Sequence, residues 1–335
     1  MNICILGGGA WGTAVALHAQ RLGNTVTLVT RRFEQALAMA TSRENTDYLP
    51  GIALNPNLQI SGELAPAILE ADYVVFACPV KGLREWATRI AQVLPSAKAL
   101  RGAVTLCKGL EPESLMLPVA LLEDCLPGLA LGTLSGPTYA REVAQEKPTA
   151  VVLASKHAHS VFEPLQEALH GGGLRVYASS DLLGVELGGA LKNVYAVGAG
   201  LGQGLGLGDN AAAAYLTRAL HEMVRIATAW GADTRTLYGL SGLGDLVATC
   251  AGDWSRNRGF GYAIAQGSSA AALIEDRKTV VEGYSSARAF HQSCQDKGLS
   301  APILEAVYAV LYNALEPQEA FRHLMARPHK HEATI

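Results

Sequence analysis

Lys192 is one of only two charged residues between Leu182 and Gly208, the other being Glu186, in a stretch that also holds nine glycines. A lysine in such surroundings either snorkels its ammonium to water or is paired inside the protein, where it can serve as an acid–base or Schiff-base catalyst. Asp245 follows the glycine-rich turn Gly239-Leu240-Ser241-Gly242-Leu243-Gly244. It is a carboxylate able to hold or polarise such an ammonium, or to cap a helix. Asp253-Trp254-Ser255-Arg256-Asn257 places hydroxyl, guanidinium and amide donors in succession. That set suits a phosphate monoester; the plainer alternative is a solvated loop. Further on, Val280-Val281-Glu282-Gly283 sets one acid at the end of a short apolar run.

The first half carries groups suited to phosphate. Ile3-Cys4-Ile5-Leu6 leads into Gly7-Gly8-Gly9-Ala10-Trp11-Gly12 and then into a helical pattern. This is the strand, G-x-G-x-x-G, helix arrangement of a dinucleotide site: Gly7 makes the tight turn, Gly9 lets the backbone approach a pyrophosphate, and Gly12 lets the helix pack on the strand. A second strand, Thr25–Val29, ends in Thr30-Arg31-Arg32, with Glu34 the nearest acid. Two guanidiniums suit a 2′-phosphate, where a carboxylate would select the free ribose. NADP(H) is therefore favoured and NAD(H) is the alternative. Lys108, in Cys107-Lys108-Gly109, and Gly136 and Thr138, in Ser135-Gly136-Pro137-Thr138-Tyr139-Ala140, each follow an apolar run. Strand ends of this kind are where such sheets bind ligands.

The elements that must position these groups divide at about residue 180. Apolar runs at Tyr73–Ala77, Ala103–Leu106, Ala150–Leu153 and Leu174–Tyr177 read as strands covered on both faces, with helical patterns at Leu83–Val93 and Leu115–Leu122. Beyond them come long helical patterns at Val185–Val197, Ala211–Trp230 and Ala301–Leu315. The fold class is α/β: a Rossmann-like doubly wound sheet over 1–180 and an all-α domain over 181–335. The helical domain is expected to pack on the first and form a cleft.

Composition excludes several classes. A chain 49% hydrophobic and 17% charged is a compact globular one, and a net charge of −3 offers no basic field for nucleic acid or membrane. Neither a signal peptide nor a membrane span is expected, so the cytoplasm is the default. The six cysteines are scattered without CxxC, as reduced thiols are. His157/His159 and His329/His331 lack partners at zinc-ligand spacing, and no metal is expected. The partner is a small molecule; the oligomeric state, with a homodimer as one option, stays open.

In order along the chain, GGGAWGTA, CKGLE, SGPTYA, LKNVYAVGAGLGQGLGLGDN, GLSGLGDLVATC, SRNRGFG and VVEG resemble the motifs of bacterial NAD(P)-dependent glycerol-3-phosphate dehydrogenase. The resemblance runs from residue 1 to about 315. It implies reduction of dihydroxyacetone phosphate to sn-glycerol 3-phosphate, the head-group precursor of phospholipids. It implies that Lys192 is the proton donor and acceptor, with Asp245 beside it. The implied substrate positions are Lys108, Gly136, Thr138, Ser255, Arg256 and Asn257. The implied cofactor positions, beyond Gly7, Gly9 and Gly12, are Trp11, Arg31, Arg32, Lys108, Ala140, Arg256, Val280 and Glu282. The chain departs from the family pattern at Ala10, often serine, and at Arg258-Gly259-Phe260, often a tyrosine-containing run. Two rival readings are another lysine-using reductase, of ketopantoate or hydroxy-acid type, and a non-catalytic NADPH sensor. Ser255-Arg256-Asn257 speaks against the first, and the joint presence of Lys192, Asp245 and Lys108 against the second.

Overall fold

A computed structural model describes residues 1–252, 254–275, 280–328 and 331–332. The chain forms two compact units, residues 1–111 with 116–182, and residues 112–115 with 183–335.

The first unit is built on an eight-stranded sheet. Its strands are β1 (Asn2–Leu6), β2 (Thr25–Val29), β5 (Gln59–Ser61), β6 (Tyr73–Phe76), β7 (Gly102–Thr105), β8 (Ala130–Ser135), β9 (Thr149–Ser155) and β10 (Leu174–Ser179). A separate antiparallel pair is formed by β3 (Glu44–Asn45) and β4 (Leu49–Ala53). The sheet order is β10-β9-β8-β7-β6-β1-β2-β5. Every pairing in it is parallel except β8 with β9. β6 and β7 are buried at every position, as strands covered on both faces must be. The carboxyl ends of β1, β2, β6, β7 and β8 therefore share one edge, and the glycine turn, Arg31, Lys108 and Gly136 follow those ends. β9 runs the other way, so its carboxyl end and that of β10 lie at the opposite edge.

The turn after β1 is set by close backbone contact. A Cβ on Gly12 would lie 2.1 Å from the Gly7 carbonyl oxygen, so the Ala10–Arg21 helix can pack on the turn only with glycine there. Gly7 itself has φ +124, outside the range that L side chains favour. The neighbouring Gly8 carbonyl accepts from Gln35 Nε2 at 2.7 Å and from Asn45 Nδ2 at 3.0 Å, and the buried Asn45 amide also reaches Thr13 Oγ1 at 2.8 Å.

The second unit is helical. Its 23-residue helix, Leu182–Gly204, is apolar on all sides and accordingly buried. It runs well past the expected Val197, because glycines let another helix lie against its last turns: a Cβ on Gly200 would sit 2.0 Å from the Arg258 carbonyl oxygen, on the Arg256–Ala265 helix. The helix expected at Leu115–Leu122 spans Pro118–Cys125 instead, with proline at its first position. No described helix is long and apolar enough to cross a membrane.

One buried carboxylate ties three helices of this unit together. Glu222, on the Asp209–Ala229 helix, accepts from the backbone N–H of Ile303 at 2.9 Å and of Leu304 at 2.8 Å, at the start of the Pro302–Tyr312 helix. Tyr195 Oη, on Leu182–Gly204, donates to it at 3.3 Å, and Arg225 stands 3.8 Å away. Burial outweighs these bonds and pushes the Glu222 carboxyl up to about 7 from its ordinary 4.5. A carboxyl raised in the folded state binds protons more tightly there than in the unfolded chain, so its stabilisation is full below 4.5 and is lost as pH rises through 7. The expected loss across that window is about 3 kcal/mol. Urea unfolding at pH 5 and pH 8 measures it, and Glu222→Gln should abolish most of the difference.

Candidate active site

In the first unit the strand ends gather the expected anion-binding groups around one carbonyl. Lys108 Nζ donates to the Gly136 oxygen at 2.9 Å, and Thr138 Oγ1 donates to the same oxygen at 3.2 Å. Next to them, buried Ser135 Oγ has no hydrogen-bond partner among the described residues. The segment after Lys108 is anchored by Glu111. Its largely buried carboxylate receives a two-pronged bond from Arg84, Nε to Oε1 and Nη2 to Oε2, each 2.8 Å, while Arg84 Nη1 holds Asp124 at 2.7 Å.

The glycine turn fits a dinucleotide. A Cβ on Gly9 would meet nothing within 4 Å, so its backbone is open to a ligand. The helix that starts at Ala10 has no side-chain cap, which leaves its positive end for a phosphate. Arg31 and Arg32 are both exposed past β2, with Arg32 Nη2 3.8 Å from Asp47. Trp11 is half-buried, and Ala140 opens a short helix after Tyr139.

In the second unit Lys192 is not a snorkelling lysine. Its side chain is 10% exposed, and its Nζ lies 2.5 Å from Asp245 Oδ1, itself on a side chain 2% exposed. The ammonium also donates to Thr249 Oγ1 at 2.8 Å, and that hydroxyl passes its own proton to the Asp245 backbone oxygen at 2.6 Å. Asp245 and Thr249 stand one turn apart on the Asp245–Ala251 helix, which follows a π-turn at Leu240–Gly244. The approach depends on Gly188, one turn before Lys192, where a Cβ would lie 2.6 Å from the Ser241 carbonyl oxygen. Burial pushes the adjacent Cys250 thiol up to about 12, with the Lys192 charge the largest opposing influence, so it remains a neutral thiol.

Ser255 and Asn257 have structural partners as well. Ser255 Oγ accepts from the Arg258 N–H at 3.2 Å and caps the Arg256–Ala265 helix. Asn257 Nδ2 donates to Asn193 Oδ1 at 2.9 Å, and its Oδ1 accepts from the Gly283 N–H at 2.9 Å. Arg256 is exposed at the first turn of its helix.

The comparison with known proteins decides the relationship. Residues 2–161 match the family described as NAD-dependent glycerol-3-phosphate dehydrogenase N-terminus, and residues 181–322 match its C-terminus. The chain belongs to the NAD-dependent glycerol-3-phosphate dehydrogenase family. Among curated relatives, glycerol-3-phosphate dehydrogenase [NAD(P)+] of Delftia acidovorans is 45% identical, over 98% of this chain and 98% of its own. The protein of that name from Variovorax paradoxus is also 45% identical, over 98% and 97%. The crystal structure of glycerol-3-phosphate dehydrogenase from Coxiella burnetii is 35% identical and superposes with a TM-score of 0.91, over 97% of this chain and 98% of that one.

Within the family frame, the sequence reading omitted three residues that the geometry brings in. Thr249 sits four residues after Asp245 on a helix, a spacing that could have flagged it. Asn193 adjoins Lys192, and Glu111 closes the CKGLE motif. Of the two valines before Glu282, Val280 is exposed and Val281 is buried. Asp253 and His329 lie outside the described residues.

Gly188→Ala should lower the stability of the helical unit by about 1–3 kcal/mol, since helix and turn must separate. Gly202→Ala is the control, because its Cβ would meet only Leu207 Cδ1 at 3.7 Å. Equal effects of the two in urea unfolding would show that close approach at Gly188 is not what holds Asp245 against Lys192.

Proposed function

We propose that this oxidoreductase reduces dihydroxyacetone phosphate to sn-glycerol 3-phosphate, with Lys192 as proton donor, and that it works with NADPH in preference to NADH. The observation that carries the reading is the buried Lys192–Asp245–Thr249 group, in a chain of this family.

Reduction of a ketone builds negative charge on its oxygen, and a positioned ammonium both stabilises that charge and delivers the proton. The bonds from Lys192 Nζ to Asp245 and Thr249 fix where the ammonium can point. Asp245 offsets the cost of holding an ammonium out of water, and Thr249 holds the aspartate backbone in register with it. Arg256, at a helix start, is the main phosphate ligand, aided by Ser255 and Asn257, whose internal bonds also hold that helix in place. Glu282 and Val280, beside the Gly283 that Asn257 grips, belong to the cofactor set. When bound, the nicotinamide supplies the hydride. The residues that would hold the dinucleotide are Gly7, Gly9, Trp11 and Gly12 at the turn, with Arg31 and Arg32 on the 2′-phosphate. Lys108, Gly136, Thr138 and Ala140 lie along the same sheet edge. The product would supply phospholipid head groups in the cytoplasm.

Loss of NADPH absorbance on adding dihydroxyacetone phosphate tests the reaction directly, and an inert mixture would overturn it. Removing Lys192 alone would strand the buried Asp245 charge, at about 3–5 kcal/mol. The informative variant is therefore Lys192→Met with Asp245→Asn. It should lose about 10²–10⁴-fold in turnover while still binding NADPH; near-normal turnover would remove Lys192 from the chemistry. Arg31→Ala with Arg32→Ala should weaken NADPH far more than NADH, as read by their dissociation constants, and equal losses would sink the 2′-phosphate assignment.

A further inference from the structure

Two of the six cysteines stand at opposed positions where β6 and β7 leave the sheet. The strands are parallel with Phe76 opposite Thr105, and the Leu106 N–H donates to the Phe76 oxygen at 2.8 Å, so the ladder continues past their ends. Two residues further on stand Cys78 and Cys107, and the Cys107 thiol donates to the Cys78 carbonyl oxygen at 2.9 Å. Neighbouring strands run about 4.7–4.9 Å apart, inside the roughly 4.4–6.8 Å range of Cα separations that a disulfide spans. Cys78 is half-buried and Cys107 is buried. Burial holds Cys4, Cys250 and Cys294 protonated, and burial also raises Cys125.

We propose that Cys78 and Cys107 form an oxidisable dithiol that peroxide converts to a disulfide, with loss of nucleotide affinity. The Cys78 thiolate attacks one oxygen of hydrogen peroxide; an S–O bond forms, the O–O bond breaks, and the departing hydroxide takes up a proton as water. Cys107 sulfur then attacks the Cys78 sulfenic acid. The S–S bond forms, the S–O bond breaks, and the leaving hydroxide takes the Cys107 proton as a second water. Two thiols are oxidised by two electrons and one peroxide is reduced.

The effect on the nucleotide, which rests on the function proposed above, follows from what the two cysteines adjoin. Ala77, just before Cys78, backs the glycine turn: a Cβ on Gly7 would lie 2.6 Å from its carbonyl oxygen, and its own Cβ is 2.9 Å from where a Gly12 Cβ would be. Cys107 precedes Lys108, which holds Gly136. A covalent link drawn across these strand ends moves the support of the turn and the root of Lys108 together.

The test treats the full-length protein with a small excess of hydrogen peroxide, maps non-reduced peptides by mass spectrometry, and titrates NADPH by fluorescence before oxidation, after it, and after dithiothreitol. The expected result is a peptide cross-linked through Cys78 and Cys107 and an NADPH dissociation constant about tenfold weaker, restored by dithiothreitol. Cys78→Ser should prevent both changes, and Cys107→Ser serves as an independent second variant. Absence of the cross-linked peptide, an unchanged dissociation constant in the cross-linked protein, or equal peroxide sensitivity in Cys78→Ser would each overturn the proposal. Failure of the reduced protein to bind NADPH would instead strike the nucleotide assignment, and the peptide map would still decide whether the bond forms.

Discussion

Taking an ammonium and a carboxylate out of water costs several kcal/mol for each ion, and their attraction offsets this only when the geometry is good and further hydrogen bonds complete it. The Lys192–Asp245 pair meets both conditions, with a 2.5 Å contact and the Thr249 hydroxyl closing the group. Much of the helical unit can be understood as what keeps that geometry from relaxing. The glycines of the Leu182–Gly204 helix are part of this constraint. At Gly188 and Gly200 neighbouring backbone comes nearer than any side chain would allow. Contacts between backbones leave little freedom to slide, which is what a short ion pair in a dry setting needs.

The unit built on the eight-stranded sheet solves a different problem with similar means. The groups proposed to meet phosphate are offered by strand ends and turns, and two of those segments are steadied from behind. Asn45 and Gln35 hold Gly8, and the Arg84–Glu111–Asp124 group holds the segment after Lys108. Exposed cations at such an edge bind anions by charge; the buried polar residues behind them set direction. Asn257 plays a comparable part in the helical unit, where one amide joins Asn193 to Gly283.

Much of this was legible from residue order. The strand, glycine turn and helix at the amino terminus, the change to helices near residue 180 and the isolation of Lys192 were all apparent, because apolar periodicity and glycine spacing are local signals. Partnerships made at long range were not. Nothing local links Lys192 to Thr249, 57 residues away, or Arg84 to Glu111. The β3–β4 hairpin is short and its burial irregular, so it has no clear alternation to read. The reversal of β9 escaped for another reason: a strand buried in the sheet looks the same in sequence whichever way it runs. The helix expected over Val185–Val197 continues through glycines, which weaken a helix locally, because packing by a neighbouring helix overrides that preference.

The order of the sheet also bears on whether the protein stays dispersed. An open sheet ends in two strands whose outer hydrogen-bonding groups can recruit another chain. On one side that strand is β5, only three residues long, too short to template much growth. On the other it is β10, where buried and exposed positions alternate, and Arg175 points outward with its guanidinium 5.0 Å from the Tyr177 ring. A cation such as Arg175 on the border discourages strand addition where a longer apolar strand would invite fibrils. The strands buried at every position, β6 and β7, are thus kept in the middle of the sheet, away from borders where they would make the protein prone to aggregate.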